Sequence, residues 1–278
     1  YRRCRSLMAK IDKSKYTKEE WRRIREQRRL EKQSLLYSPT TSSSKYNILC
    51  LKHGTKYSSE YVNKLYRMVS RNCTLEFSFF CITDDPRGLN KNIVTIPTPP
   101  GLQGWWCKPY IFSADLPIKG TILYMDLDVV IAGNIDKLFT YQPNHWCTVR
   151  DFTRAMRPNW LKYNSSVVRF NAGDLDFVWQ NFKNDPVTIQ RKYFGDQDYL
   201  YDATYKKKAA MLYPDSWILS WKWEVRKDKT FEPGGTRGFK KLKNIEHVTP
   251  RVECCVCVFH GDPNPERCLD PWVVDNWK

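Results

Sequence analysis

An apolar run that ends in two aspartates constrains the fold of this chain more than any other feature. Residues 120–125 are predicted to form a strand, and Asp126 and Asp128 follow it directly. In an extended chain, residues two apart lie on the same side, so we expect both carboxylates to point the same way. Ligands of open α/β sheets bind at the carboxyl ends of the strands. Because adjacent carboxylates repel each other unless a cation lies between them, this motif predicts a divalent-cation site that can also hold a diphosphate.

Strand-length apolar runs and helical patterns alternate around this motif. The predicted strands are residues 46–51, 76–83, 92–96, 120–125, 166–170 and 253–259. The predicted helices are residues 17–34, 58–71, 175–182 and 196–203, with 105–115 helical in part. Such alternation predicts an α/β fold with a mostly parallel sheet flanked by helices. The 278 residues are 41% apolar, which is enough to fill a core of that size.

Basic residues are concentrated at the N-terminal end. Residues 1–45 contain 14 Lys or Arg and 5 Asp or Glu, so they carry +9 of the formal net charge of +16. Thr17 and Glu20 have the spacing of a helix capping box. We therefore interpret residues 1–44 as a basic helical extension with a linker, and residues 45–278 as one domain. The extension could bind a polyanion or an anionic membrane surface.

Other features of the sequence limit the function classes. The ten cysteines suggest no disulfide framework, and the cluster at residues 254–257 lacks a second pair at zinc-finger spacing. No apolar run approaches the roughly 20 residues that span a bilayer, which favours a cytoplasmic or membrane-associated protein. Because no zinc-finger, RNA-recognition or helix-turn-helix signature is present, no specific nucleic acid is expected as a partner.

The residues after the strand match a known family. Asp126, Asp128, Gly133, Asp136 and Leu138 stand at the places of the Asp-X-Asp motif, the glycine and the helix start of that family. In these positions the chain resembles the glycogenin-like, family 8 glycosyltransferases, over roughly residues 46–275. The resemblance implies a GT-A (Rossmann-like) fold, Mn²⁺ or Mg²⁺ as the metal ion, and a UDP-sugar as the donor. It also implies transfer with retention to a hydroxyl of a glycan or a protein-linked acceptor.

Further patches of the same resemblance assign roles to single residues. The implied donor-site residues are Leu51, His53, Gly54, Tyr57, Lys108, Asp126, Asn164 and Ser165. Asp196 and Gln197 would lie at the reacting centre, as the catalytic residues. The implied metal ligands are Asp126, Asp128 and His260. The chain departs from the family pattern at Ser166, where glycine is usual, and at Asp262 and Asn264, which follow His260.

Two alternative functions are compatible with the sequence. The basic N-terminal arm is consistent with a nucleic-acid or polyanion-binding protein, although its cations are not interleaved with aromatic residues. The aspartates are consistent with another metal-dependent nucleotide enzyme, such as a nucleotidyltransferase. That class carries a glycine-rich phosphate loop after its first strand, whereas residues 52–56 contain a single glycine.

Overall fold

A seven-stranded sheet runs through the computed structural model, which describes residues 16–25, 44–225, 249–261 and 263–278. Its strands are β1 (Tyr46–Lys52), β2 (Phe77–Thr83), β3 (Ile93–Pro97), β4 (Thr121–Met125), β6 (Cys147–Arg150), β7 (Tyr163–Asn171) and β8 (Met211–Leu212). Their order is β3-β2-β1-β4-β7-β6-β8. Strand β7 is antiparallel to both of its neighbours, and the other pairings are parallel.

A second, smaller sheet joins the aspartate segment to the late part of the chain. It contains β5 (Val129–Ile131), β9 (Ile218–Ser220) and β10 (Val256–Val258), with β10 in the middle. Strand β10 is antiparallel to β5 and parallel to β9. Because β5 begins one residue after Asp128, this sheet brings the end of β10 next to the two aspartates.

Helices cover both faces of the large sheet. They are α1 (Ser59–Asn72), α2 (Asp136–Thr140), α3 (Asp176–Asn184), α4 (Pro186–Lys192), α5 (Asp196–Thr204) and α6 (Pro271–Asn276). Segments of 3₁₀-helix are formed by Gly104–Phe112, Phe152–Ala155 and Pro265–Arg267, and Trp221–Val225 forms one turn of π-helix. In the part of the chain that the model describes, no helix is long and apolar enough to cross a membrane.

The residues of β1 explain why this sheet is buried on both faces. Ile48 and Cys50 pack in the core beneath α1, whereas Leu49, which points the opposite way, packs with α3. Side chains alternate across a strand, so a strand with cores on both sides must be apolar at consecutive positions. All three side chains are completely buried. The continuous apolar runs of the sequence are therefore the signature of a sheet between two helical layers.

The predicted α/β fold with a mostly parallel sheet is confirmed. The first four predicted strands agree with β1 to β4 to within a residue or two, and residues 58–71 and 196–203 are helical as expected. Strand β7 is longer than predicted. The strand predicted at residues 253–259 is limited to Val256–Val258, because β5 offers only three positions to pair with and a turn at residues 252–253 precedes it.

The N-terminal helix is described only in part. Residues 18–25 are helical. The capping box forms as predicted: the Thr17 amide donates to Glu20 Oε2 at 2.8 Å, and the Glu20 amide donates to Thr17 Oγ1 at 3.3 Å. The bond from the Thr17 amide and a second one from the Thr17 hydroxyl to the same carboxylate oxygen, at 2.8 Å, lower the pKa of the Glu20 carboxyl. The rest of the predicted basic extension, including residues 26–34 of the helix, lies outside the described residues.

Candidate functional site

The two aspartates lie where several strands end together. Asp126 directly follows β4, and its amide donates to the carbonyl of Ser166 in β7 at 2.8 Å. Because β7 is antiparallel to β4, the first residues of β7 lie at the carboxyl end of β4. The chain bends at residues 127–128, so the extended geometry expected across the motif is not observed. The two carboxylates consequently have different hydrogen-bond partners.

Asp126 is bound by a buried lysine and a buried tyrosine. Lys108 Nζ lies 2.9 Å from Asp126 Oδ1, and the hydroxyl of Tyr124 donates to the same oxygen at 2.7 Å. The Lys108 side chain is only 11% exposed. The Gly104–Phe112 turn carries it to the site from outside the sheet. Tyr124 lies two residues before Asp126, which is why one face of the strand delivers both groups.

The same lysine links Asp126 to the start of α5. Lys108 Nζ lies 3.3 Å from Asp196 Oδ2 and 3.0 Å from Ser165 Oγ, and the Ser165 hydroxyl donates to Asp196 Oδ2 at 2.6 Å. Burial alone would lower the pKa of Lys108, but the charges of Asp126 and Asp196 outweigh it and raise the pKa. Lys108 is therefore a fixed cation held between two carboxylates.

Asp128 has an environment that disfavours its charge. The hydroxyl of Tyr57 donates to Asp128 Oδ2 at 3.0 Å. Burial and, second, repulsion by Asp126 raise the pKa of Asp128 to about 6, although the hydrogen bond from Tyr57 and the charges of Lys56 and Lys108 act in the opposite direction. The charge of Asp126 thus disfavours ionisation of Asp128. A cation between them would remove this repulsion.

Gln197 is held by two polar residues beside Asp196. Asn164 Nδ2 donates to Gln197 Oε1 at 3.3 Å, and Gln197 Nε2 donates to Asp151 Oδ2 at 3.2 Å. Asp151 follows β6 and was not singled out by the sequence. The structure thus brings Lys108, Asn164, Ser165, Asp126, Asp196 and Gln197 into one hydrogen-bonded network.

The residues predicted to bind the base and ribose of the donor lie at the end of β1 and in the loop that follows it, at the same edge of the sheet. Leu51 is half-buried in the strand, and His53 is half-buried in the loop that follows. Gly54 has a φ of +68°, which glycine adopts without strain, and its amide donates to Asp84 at 3.1 Å. Asp84 follows β2 in the parallel neighbour, so it fixes this loop from the next strand end. Of these four candidates, Tyr57 contacts Asp128 directly.

A backbone hydrogen bond of the preceding residue, Phe259, brings His260 close to Asp128. The amide of Phe259 donates to the Asp128 carbonyl at 2.8 Å, which extends the pairing of β10 with β5. The His260 ring stacks on Phe152 at 5.5 Å and meets the edge of Trp223 at 4.8 Å. Its Nε2 lies 2.6 Å from Ser220 Oγ. These aromatic neighbours come from distant parts of the chain, and no motif in the sequence points to them.

The side chains predicted to bind a metal ion have suitable ligand types, but they are not arranged around a common point. Within the described segments, no group of three or more His, Cys, Asp and Glu side chains is arranged to hold a metal ion. The donor types fit a divalent cation that prefers oxygen and imidazole ligands. A cation bound by both carboxylates would relieve the repulsion by Asp126, which is the second cause, after burial, of the raised pKa of Asp128. By chemistry, the pair fits Mn²⁺ or Mg²⁺.

The fold can be compared with known proteins. No family model matches the sequence, and no curated protein matches it. Among solved structures, the galactosyltransferase LgtC, in complex with donor and acceptor sugar analogues, gives a TM-score of 0.55 at 13% identity, covering 82% of this chain and 93% of LgtC. The glycosyltransferase GlyE of Streptococcus pneumoniae gives 0.56 at 11% identity, covering 84% of this chain and 62% of GlyE. The chain has the GT-A glycosyltransferase fold.

A third structure extends this similarity. The bifunctional glycosyltransferase WbbM gives a TM-score of 0.50 at 11% identity, covering 86% of this chain and 52% of WbbM. The predicted resemblance to GT-A glycosyltransferases is thus confirmed at the level of the fold. In this GT-A fold the aspartates lie at the carboxyl edge of the sheet, where ligands of open α/β sheets bind.

Proposed function

We propose that this chain is a glycosyltransferase that moves a sugar from a nucleoside diphosphate-sugar, a UDP-hexose, to a hydroxyl of a glycan or a protein-linked acceptor. One observation carries the proposal. At the carboxyl edge of a GT-A sheet, Lys108 lies between Asp126 and Asp196, and Asp128, two residues after Asp126, has a raised pKa. The arrangement provides two carboxylates that can bind a metal cation, and Lys108 adds a fixed positive charge next to Asp126.

The cation in this proposal is Mn²⁺ or Mg²⁺. Asp126 and Asp128 would hold it, with His260 as a third ligand, as the resemblance implies. When bound, it supplies positive charge against the leaving nucleoside diphosphate. Tyr57 donates a hydrogen bond to Asp128 and so favours the ionised carboxylate that binds a cation. In this proposal, Leu51, His53 and Gly54, at the end of β1, bind the base and ribose of the sugar nucleotide.

The remaining residues orient the donor sugar. Asn164 fixes the Gln197 amide, and Ser165 and Lys108 hold the Asp196 carboxylate. A carboxylate that receives two such contacts is a weak nucleophile, since its charge is already stabilised. We therefore propose that the acceptor oxygen forms the new glycosidic bond on the face from which the diphosphate departs. The acceptor proton passes to the departing phosphate oxygen, and the anomeric configuration is retained.

A donor screen tests the proposal. Purified protein is incubated with each common sugar nucleotide and Mn²⁺, and release of the nucleoside diphosphate is measured. We expect release from at least one UDP-hexose, and we expect a metal chelator to abolish it. Failure to bind or turn over any sugar nucleotide under these conditions would contradict the proposed function.

The pKa of Asp128 predicts how cation binding depends on pH. Ligation requires the ionised carboxylate, so below about pH 6 a proton competes with the cation. The apparent affinity for Mn²⁺ should rise up to about tenfold per pH unit below this midpoint and level off above it, as linkage requires for one released proton. Titrations of Mn²⁺ between pH 5 and 8, followed by electron paramagnetic resonance, measure this profile.

Tyr57→Phe provides a variant with a shifted profile. The substitution removes the donor that stabilises the ionised Asp128, so the pKa of Asp128 and the midpoint for Mn²⁺ should both move to higher pH. Tyr66→Phe is the matched control, because the Tyr66 hydroxyl accepts from Asn92 on the exposed surface, away from the aspartates. An unchanged midpoint in Tyr57→Phe would show that Asp128 does not control cation binding.

A further inference from the structure

A row of aromatic rings and cations leads away from the start of α5. We call it the aromatic ladder; its members are Arg157, Trp160, Lys162, Tyr201 and Tyr205. The Arg157 guanidinium lies 5.6 Å from the centre of the Trp160 ring, and Lys162 Nζ lies 5.5 Å from the same ring and 6.0 Å from Tyr201. The rings of Tyr201 and Tyr205 are stacked at 5.0 Å. Each member therefore contacts the next.

Local structure explains why these side chains share one surface. A turn joins Arg157 to Trp160, whose amide donates to the Arg157 carbonyl at 2.9 Å. Trp160 and Lys162 are two residues apart in the segment that enters β7, so they lie on one side of it. Tyr201 and Tyr205 are four residues apart at the end of α5, so they lie one turn apart on one face of the helix.

The ladder begins beside the proposed reacting centre. Lys162 Nζ lies 3.6 Å from Asp198, which is two residues after Asp196 in the first turn of α5. On the strand side, Lys162 is two residues before Asn164, whose amide binds Gln197 at 3.3 Å. Both segments that carry the ladder therefore also carry residues of the site. A ligand that lies along the ladder is therefore held by the same two segments that carry Asn164, Asp196 and Gln197.

The ladder is accessible to a ligand. Tyr205 is 52% exposed, the Lys162 side chain is 45% exposed and Arg157 is exposed, whereas Trp160 and Tyr201 are partly buried. The apolar face of a sugar ring packs against an aromatic ring, because its C–H groups are weakly positive and the ring face is negative. Exposed guanidinium and ammonium groups beside those rings bind carboxylate, sulfate or phosphate groups. Together these surfaces match a saccharide chain that carries acidic groups.

We propose that the aromatic ladder is the acceptor-binding surface, and that the acceptor is an acidic saccharide chain. This inference rests on the proposed glycosyltransferase function. The sugar rings of the acceptor pack against the partly exposed ring of Trp160 and the exposed ring of Tyr205, and its acidic groups pair with Arg157 and Lys162. A single-stranded nucleic acid also binds surfaces of cations and aromatic rings. The ladder shares α5 and the segment entering β7 with Asp196, Gln197 and Asn164, which favours the saccharide, because an acceptor must reach those residues.

A glycan array with acidic and neutral saccharides tests this proposal. The wild-type protein is applied with UDP and Mn²⁺, together with the variants Arg157→Gln and Trp160→Ala. We expect the wild type to bind acidic glycans in preference to neutral ones. Trp160→Ala should weaken glycan binding by roughly tenfold or more, because it removes one ring against which a sugar packs. Lys91→Gln removes an exposed positive charge before β3 and serves as the control that retains binding.

Separate measurements distinguish the possible failures. UDP binding, followed by calorimetry, should be unchanged in both ladder variants, and their thermal unfolding should match the wild type. If the wild type binds no UDP, the proposed function fails. If it binds UDP but prefers neutral glycans, binds none, or binds equally well in both variants, the ladder proposal is overturned. Preferential binding of a single-stranded oligonucleotide that depends on Arg157 and Trp160 would also overturn it.

Discussion

Asp128→Asn is expected to abolish sugar transfer and, at the same time, to stabilise the protein in the absence of metal. Transfer should fall at least about a hundredfold, because the variant loses a charged ligand of the cation that stabilises the leaving diphosphate. Release of nucleoside diphosphate in the donor screen measures this loss. A variant that retains full transfer would exclude Asp128 from the site.

The gain in stability follows from the raised pKa of Asp128. Because its pKa is about 6 in the folded protein, above its ordinary value, ionisation of this carboxyl destabilises the fold as the pH rises through this range. Asparagine does not ionise. The free energy of unfolding at pH 8 should therefore rise by roughly 1–3 kcal/mol, since a displacement of one pH unit is worth about 1.4 kcal/mol. Urea unfolding should show this difference at pH 8 and lose it near pH 4.

Asp136→Asn is the matched control in the same segment. Burial raises the pKa of Asp136, but bonds from Thr74 and Asn134 outweigh it and lower the pKa. The Thr74 amide donates to Asp136 Oδ1 at 2.9 Å. This carboxylate therefore stabilises the fold at neutral pH and should lose that contribution in acid. The variant should be less stable at pH 8 and keep its transfer activity, the reverse of Asp128→Asn.

Lys108→Met is expected to have the largest effect on stability. The substitution leaves Asp126 and Asp196 without the cation that lies between them at 2.9 and 3.3 Å. Removing one partner of a buried ion pair costs roughly 3–5 kcal/mol, because the remaining charge is buried without compensation. Urea unfolding at pH 8 measures the loss. Transfer should also be lost.

An exposed ion pair and a double variant complete this test. Lys192 lies 3.2 Å from Asp202, but the two side chains are 62% and 57% exposed, so Lys192→Met should change the stability by less than about 1 kcal/mol. Adding Asp196→Asn to Lys108→Met should restore part of the lost stability, because it removes one of the two uncompensated charges. If both Met variants unfold alike, Lys108 is not the electrostatic centre of the site.

The sequence was informative where one strand or one short segment determines the structure. Apolar runs bounded by turns predict β1 to β4, since a strand buried on both faces must be apolar at successive positions. The position of Asp126 at the end of such a strand follows from the same pattern. The contact of Tyr124 with Asp126 could also have been inferred, because the two residues are separated by one position in β4.

Of the small sheet, the sequence predicts only β10, as part of the apolar run at residues 253–259. Strands β5 and β9 have three residues each, which is too short for a periodic pattern, and no local pattern predicts the surroundings of His260. Phe152 stacks on His260 from a segment over a hundred residues earlier in the chain, and aromatic identity alone does not specify a partner. Similarly, the aromatic ladder forms only when the segment before β7 meets α5.

A crystal structure of the protein with UDP and Mn²⁺ tests most directly whether Asp126 and Asp128 form a cation site that holds the diphosphate of a sugar nucleotide. We expect an anomalous difference peak for manganese in contact with both carboxylates and with phosphate oxygens of UDP. A manganese peak elsewhere, or UDP bound away from these aspartates, would contradict this expectation.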